Sequence, residues 1–437
     1  ILTLLPIIFI LFVLLATLPG IPPWTTFTEF SVLPPLPLSG FLAPNNILDQ
    51  ADRLFEGKIV GPESIAWRKT DELFVGLDDG TIQRIYGDNF NYISKVTQMG
   101  EKCDPSYQKT CGRPLGLRFA PNGKLLVADA YLGIYYVDTD TGEKECIVSP
   151  DDVIDGKPFQ YPDDVEVDEE GNIYWSDLST ITDYAATVLE VLSDPTGRLV
   201  KYNPQTKTNT VLMDKIHCAN GIQLSPNHDF ILLSETARSR VHRYWLKGPK
   251  MGQRDIFTDQ LPGIPDNIRP RPNGGYYISL CGTKHADKPG GIEAILSYNP
   301  IFRKIICRLL ACIQLFCSTM NKLMPMNSLM PYALWEKISH NIFAMLNAKI
   351  LKDNVTIVVV VDETGNIIGS LQGSTGNLLA ISETAHVGDN IFFGTPFMNY
   401  LGHLYVGGGK EIKRVQENRK NSESIKENKF VKNKDEL

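Results

Sequence analysis

Five segments of the chain share one grammar: a short turn, an alternating strand, a second turn and a second strand. They open at Pro62-Glu63-Ser64-Ile65, Pro114-Leu115-Gly116-Leu117, Pro162-Asp163-Asp164-Val165, Ala219-Asn220-Gly221-Ile222 and Pro265-Asp266-Asn267-Ile268. The second residue of each opening stands a constant distance before the second strand: 63 to 73, 115 to 125, 163 to 173, 220 to 230 and 266 to 276, ten residues each time. A sixth second strand at Ile391 points back by the same count to Ile381. The intervening turns, such as Pro121-Asn122-Gly123 and Pro272-Asn273-Gly274-Gly275, carry the residue types that turns require. Positions 63, 115, 163, 220, 266 and 381 lie 52, 48, 57, 46 and 115 residues apart, which leaves room for several strands per unit. The pattern predicts an all-β chain, a six-bladed β-propeller over residues 51–408. A β-sandwich would not explain the constant spacing inside each unit. Either the strand before the first repeat or Leu404-Tyr405-Val406 with Ile412 is expected to close the ring.

The long last interval contains an insertion at 291–351. Phe302, Ile305, Ile306, Leu309, Leu310, Ile313 and Phe316 recur at helical spacing, and a second apolar segment runs from Leu323 to Leu346. These predict helices laid over one face of the propeller, as a structural cap, a lid or a surface resting on a membrane. Cys307, Cys312 and Cys317 are five residues apart, which matches no metal motif and predicts core thiols.

The two ends describe a destination. Residues 1–20 are almost wholly apolar and predict a transmembrane signal anchor, followed at 21–50 by a Pro-rich stalk. Residues 409–437 are rich in Lys, Glu, Asn and Ser and predict a disordered tether. The tether ends in Lys434-Asp435-Glu436-Leu437, an endoplasmic-reticulum retrieval signal. Together these predict an endoplasmic-reticulum membrane protein with its body in the lumen, the retrieval receptor as a partner, and escape to the cell surface left open. A sequon at Asn354-Val355-Thr356 and a predicted disulfide between Cys103 and Cys111, which flank a short polar loop, suit that compartment. The net charge of -7 argues against a nucleic-acid partner.

In a propeller one equivalent position per blade forms a ring around the channel. Here that ring is Glu63, Leu115, Asp163, Asn220, Asp266 and Ile381, followed at the next position by Ser64, Asp164, Asn267 and Ser382. Asp and Asn also cap strands and turns, so any one of them alone means little. Four oxygen-bearing side chains at one registered position point instead to a hard cation. Carboxylates and amides suit Ca2+ over zinc, and convergence of three carboxylates would otherwise disturb their protonation.

The segments Gly61-Pro62-Glu63, Ala219-Asn220-Gly221-Ile222 and Asp266-Asn267 resemble the calcium-dependent six-bladed propeller hydrolases, the paraoxonases and the gluconolactonase (regucalcin) group. Cys111-Gly112-Arg113-Pro114-Leu115-Gly116 and the run from Asp163 to Asp177 resemble the membrane-anchored branch of the strictosidine synthase-like family, the adipocyte plasma membrane-associated proteins and hemomucins. The resemblance implies Ca2+ held by Glu63, Asp163, Asn220, Asp266 and Asn267, with Asp163 standing where the relatives usually have Asn. It also implies arylesterase-like hydrolysis of a small ester or lactone, with calcium polarising the carbonyl and Asp163 or Asp164 activating water. His217 and His285 are further base candidates. Leu115 stands where paraoxonases carry a histidine, which favours the alternative of a non-catalytic receptor with structural calcium. A second alternative, amine–aldehyde condensation as in plant strictosidine synthases, would rest on Glu383 in the last blade.

Overall fold

A computed structural model describes residues 4–101, 108–284, 296–323 and 354–407. Six four-stranded antiparallel sheets are arranged as the blades of a propeller. Blade I is Ile65–Lys69, Glu72–Gly76, Thr81–Tyr86 and Tyr92–Gln98; blade II is Pro114–Phe119, Leu125–Asp129, Gly133–Val137 and Lys144–Val148. Blade III is Pro162–Val167, Ile173–Asp177, Gly197–Asn203 and Thr208–Ile216; blade IV is Ala219–Leu224, Phe230–Glu235, Arg240–Trp245 and Arg254–Thr258. Blade V is Gly263–Pro270, Tyr276–Thr283, Thr356–Val361 and Ile367–Gly373. Blade VI is Glu383–Val387, Asn390–Gly394 and Leu401–Tyr405, and its outermost strand is the early segment Asp52–Leu54. Both candidates for closure therefore meet in one sheet, apart from Ile412, which lies outside the described residues.

The second strand of each blade is sandwiched between neighbouring blades, so it is apolar on both faces. Leu73-Phe74-Val75, Leu125-Leu126-Val127 and Ile391-Phe392-Phe393 are all buried for this reason. Each of the six blade interfaces has its own apolar cluster: Val127 with Ile82 between I and II, Trp175 with Val148 between II and III, and Ile222 with Leu199 between III and IV. Ile268 with Val241 fills IV–V, Tyr277 with Phe393 fills V–VI, and Phe392 with Leu73 closes VI–I. Burial of one such side chain contributes roughly 1.5–3 kcal/mol, so no single blade is stable without its neighbours.

Residues read as a stalk lie against the propeller. Leu36 N donates to Gln260 O at 2.8 Å, Asn45 Nδ2 to Ser370 O at 3.1 Å and Gln372 Nε2 to Leu42 O at 2.9 Å. Leu42 and Leu48 are buried in the clusters of blades IV to VI. Proline keeps this segment extended, but its leucines bind it to the wall. The N-terminal helix is Leu4–Thr17, and among the described residues no helix is long and apolar enough to cross a membrane.

Two long connections leave the same end of the propeller. The second strand of a blade ends where the first begins, so 178–196 in blade III and 284–355 in blade V both emerge beside the channel positions. The first contains the short helix Thr187–Leu192, and the second contains the insert helix Pro300–Leu323. The insertion expected at 291–351 falls between the second and third strands of blade V. The two helices pack through Val188, Leu189 and Leu192 against Cys307, Leu310 and Ala311 and form a cap. Cys103, His285, the segment 324–353 and the tail from 408 onward lie outside the described residues.

Candidate functional site

The channel side chains owe their direction to broken ladders. Pro162 pairs with Asp177 and Val165 with Trp175, three steps on the first strand against two on the second. The same miscount separates Ala219–Glu235 from Ile222–Leu233, and Pro265–Leu280 from Ile268–Ile278. Each is a bulge of one extra residue, which suspends the strict in–out alternation of a strand. Consecutive residues Asp163 and Asp164, and Asp266 and Asn267, are thereby all buried at the channel.

Glycine makes the close approach possible. A Cβ on Gly221 would lie 2.4 Å from Asn267 Cα and 2.5 Å from Asp266 O. A Cβ on Gly116 would lie 2.6 Å from Asp164 Cα. These two glycines leave room for the backbone of the next blade, which carries the Asp-Asp and Asp-Asn pairs.

The hydrogen bonds sort the channel into two layers. In the first, Asn267 Nδ2 of blade V donates to Glu63 Oε1 of blade I at 2.8 Å. These blades are not neighbours, so the bond spans the channel. Asn220 hydrogen-bonds to Asp266, and its own Oδ1 accepts from Gly221 N at 2.6 Å. Glu63 Oε2 and Asn267 Oδ1 are buried and have no hydrogen-bond partner. Burial pushes the Glu63 carboxyl well above its ordinary range, and the charges of Asp266 and Asp163 add to the effect. Burial, with Asp266 and Asp164 nearby, does the same to Asp163, and burial raises Asp266 to about 7. Among the described residues no three His, Cys, Asp or Glu side chains gather closely enough to hold a metal by themselves, so the candidate set depends on its two asparagines.

The second layer carries its own cation. Arg269 Nη1 donates to Asp164 Oδ2 at 3.0 Å, and Arg269 Nη2 donates to Glu383 Oε2 at 2.5 Å. Asp164 Oδ2 also accepts from Ile222 N, and Oδ1 accepts from Val165 N, both at 2.9 Å. Ser64 Oγ donates to Glu383 Oε2 at 2.8 Å. Both oxygens of Asp164 are thus occupied, which removes it as a water-activating base and makes it a brace between blades III, IV and V. Glu383 is held by an arginine through Oε2, while its Oε1 is buried without a hydrogen-bond partner.

Two ring positions are apolar. Leu115 joins an apolar cluster at the mouth with Tyr161, Leu178 and Cys218. Ile381 is buried in the cluster between blades V and VI, two residues before the ladder that opens with the pair Glu383–Gly394. Arg269 and Cys281 were not anticipated. Arg269 follows Asn267 by two residues and so shares its face, a signal that alternation carries; the Cys281 thiol, hydrogen-bonded to Asp266, carries none.

Strictosidine synthase is the description of the family model that matches residues 163–249, and a strictosidine synthase-like N-terminal model matches residues 40–85. The chain is 36% identical over 379 residues to the adipocyte plasma membrane-associated protein hemomucin of Drosophila melanogaster, covering 85% of this chain and 63% of that relative. It is 40% identical over 301 residues to the adipocyte plasma membrane-associated protein of Gallus gallus, covering 68% of this chain and 70% of the relative. The chain belongs to the adipocyte plasma membrane-associated protein family. Among solved structures, a gluconolactonase from Xanthomonas campestris superposes with a TM-score of 0.51 at 13% identity, covering 88% of this chain and 99% of that one; the likeness is one of fold.

In this family member the channel mouth lies beneath the cap. Tyr184 stacks edge-on against Tyr161 at 5.6 Å and against Tyr131 at 6.2 Å. His217 Nε2 lies 3.1 Å from Glu190 O and 3.2 Å from Val191 O, two carbonyls that require the ring N–H there. Burial lowers its pKa to about 4. His217 therefore fastens the short cap helix and is not poised as a base. Glu190 accepts from Ser179 Oγ and from Thr196 N and Oγ1, and burial raises it to about 7. Cys111 is disulfide-bonded, and Cys103, its expected partner, lies outside the described residues. Cys307 is a buried free thiol, and Asn354 of the sequon is exposed.

Proposed function

We propose that the protein is a membrane-associated, calcium-dependent hydrolase of small esters or lactones. The observation that carries this reading is the pair of buried, unpartnered oxygens Glu63 Oε2 and Asn267 Oδ1, on side chains already joined across the channel. Buried polar atoms are nearly always satisfied, and oxygens left over in an acidic cluster suit a hard cation. Glu63, Asp163, Asn220, Asp266 and Asn267 are the residues that would hold it. Bound calcium would polarise a substrate carbonyl and stabilise its oxyanion. With Asp164 occupied, Asp163 is the carboxylate left to accept a proton from water. Tyr161, Leu115 and Leu178 line the mouth with apolar surface for an aryl or alkyl group.

The test is turnover of phenyl acetate and simple lactones by wild type and Asn220→Ala, with and without chelator. Turnover abolished by chelator and by the substitution supports the proposal. Calcium-independent turnover, or none on any ester or lactone, overturns it. Leu115 and the committed His217 favour a second reading, a receptor with structural calcium. That reading predicts calcium binding without turnover. Glu383, held by Arg269 and Ser64, supports neither ester hydrolysis nor the amine–aldehyde condensation. Location in the endoplasmic-reticulum membrane, through the retrieval signal Lys434-Asp435-Glu436-Leu437, is also part of the proposal. Removal of those four residues should send the protein onward to the cell surface.

A further inference from the structure

Two helices outside the propeller carry a surface that the fold does not use. The N-terminal helix Leu4–Thr17 is apolar on every side, and the six consecutive residues from Phe9 to Leu14 are all exposed. The insert helix Pro300–Leu323 buries Cys307, Leu310 and Ala311 in the cap and exposes Ile301, Phe302, Leu309, Leu315 and Phe316. Its charged residues are Arg303, Lys304, Arg308 and Lys322, without one carboxylate. The N-terminal helix has no charge at all. In a chain of net charge -7, this is a local departure in sign.

The two helices are fastened into one surface. Arg308 Nη1 donates to Leu15 O and Leu18 O, both at 2.9 Å, and so satisfies the C-terminal carbonyls of the N-terminal helix. The chain beyond it is strapped to the cap. Asp194 accepts from Thr28 N at 2.8 Å, from Thr26 Oγ1 at 2.7 Å and from Arg303 Nη2 at 2.7 Å. Arg303 Nη2 also donates to Thr28 O at 2.7 Å. The Phe30 ring lies against two guanidiniums, Arg238 at 4.5 Å and Arg303 at 4.6 Å. The N-terminal helix therefore has a fixed orientation on the cap.

We propose that the outward faces of these two helices lie together on a lipid bilayer, so that the capped end of the channel faces the membrane. Three features select a bilayer as the occupant. Apolar residues exposed in a row have no favourable state in water. Arg303 and Arg308 are spent inside the cap, and the half-buried Lys304 is the cation among the helix's described side chains left to meet an anionic headgroup. Trp24 and Tyr298 stand exposed beside the two helices, and these are the side chains that settle at the headgroup level. The proposal does not depend on any catalytic activity.

The experiment uses the full chain reconstituted into vesicles of phosphatidylcholine and phosphatidylserine that contain a phosphatidylcholine with a photoreactive acyl chain. After illumination, lipid adducts are mapped by peptide mass spectrometry. Adducts are expected in both Leu4–Thr17 and Pro300–Leu323. The double substitution Phe302→Glu and Phe316→Glu should abolish those in the insert helix while thermal unfolding stays as in wild type. Adducts confined to the N-terminal helix would overturn the proposal and leave that helix as a simple tether. Crosslinks between two copies at the insert helix, without lipid adducts, would overturn it in favour of a dimer.

Discussion

The two layers of the channel are built from neighbouring residues of the same strands, yet they resolve their charge in opposite ways. Asp164 and Glu383 share one arginine, accept backbone or hydroxyl donors and brace blades III, V and VI across the channel. Glu63, Asp163 and Asp266, adjacent in sequence or in space, are buried without such a partner, and burial drives all three towards the protonated form. A layer with its own arginine serves the fold. A layer of buried carboxylates without one is where the proposed calcium would act.

The contrast breaks hardest at Arg269. Arg269→Met strands two buried carboxylates, and loss of one partner from such a group costs about 3–5 kcal/mol. Urea unfolding should show that loss whether or not calcium is present. Glu63→Gln should do the reverse: little change in the calcium-free protein, but loss of the stabilisation that calcium confers. For wild type at a hundredfold excess over the dissociation constant, that stabilisation is about 2.7 kcal/mol. A thermal shift with and without calcium reads it, and an unchanged shift in the variant would erase the distinction between the layers. Gly221→Ala comes next. Its methyl group must displace the backbone of Asp266 and Asn267, at about 1–3 kcal/mol, with weakened calcium binding in titration calorimetry.

The smallest effect is a pH dependence outside the channel. Glu190 is raised to about 7 by burial, above its unfolded value, so the folded state binds the proton more tightly. Its contribution to stability is full below the unfolded pKa and is lost as pH rises through about 7. Urea midpoints of wild type should therefore fall relative to Glu190→Gln between about pH 5 and pH 8. Equal slopes would show that an unpaired buried carboxylate is unremarkable in this protein, and would weaken the inference drawn from the ring.

Most of the scaffold was legible because strand spacing is set by turn geometry and recurs. Leu125, Ile173, Phe230 and Tyr276 each open a second strand at the counted position. Ile381, reached by the same count, is buried in the cluster between blades V and VI. The division of the channel was not legible, since it depends on which of two adjacent residues meets Arg269 across the axis, and sequence order does not encode a contact between blades III, V and VI. The cap was anticipated as helices, but its hold on His217 and Glu190 arises from tertiary packing alone.

Blade VI takes its outermost strand from Asp52–Leu54 and the strand beside it from Leu401–Tyr405. A ribosome makes the first of these 347 residues before the second, counting from 54 to 401. At about 5–20 residues per second, the early strand waits some tens of seconds with an unpaired edge. By the end of that interval five blades are made, and as an open arc they expose at their two ends apolar faces meant for each other. Biosynthesis of this protein thus contains a built-in delay, and an arrest between residues 373 and 401 leaves five blades that are still adhesive at both ends.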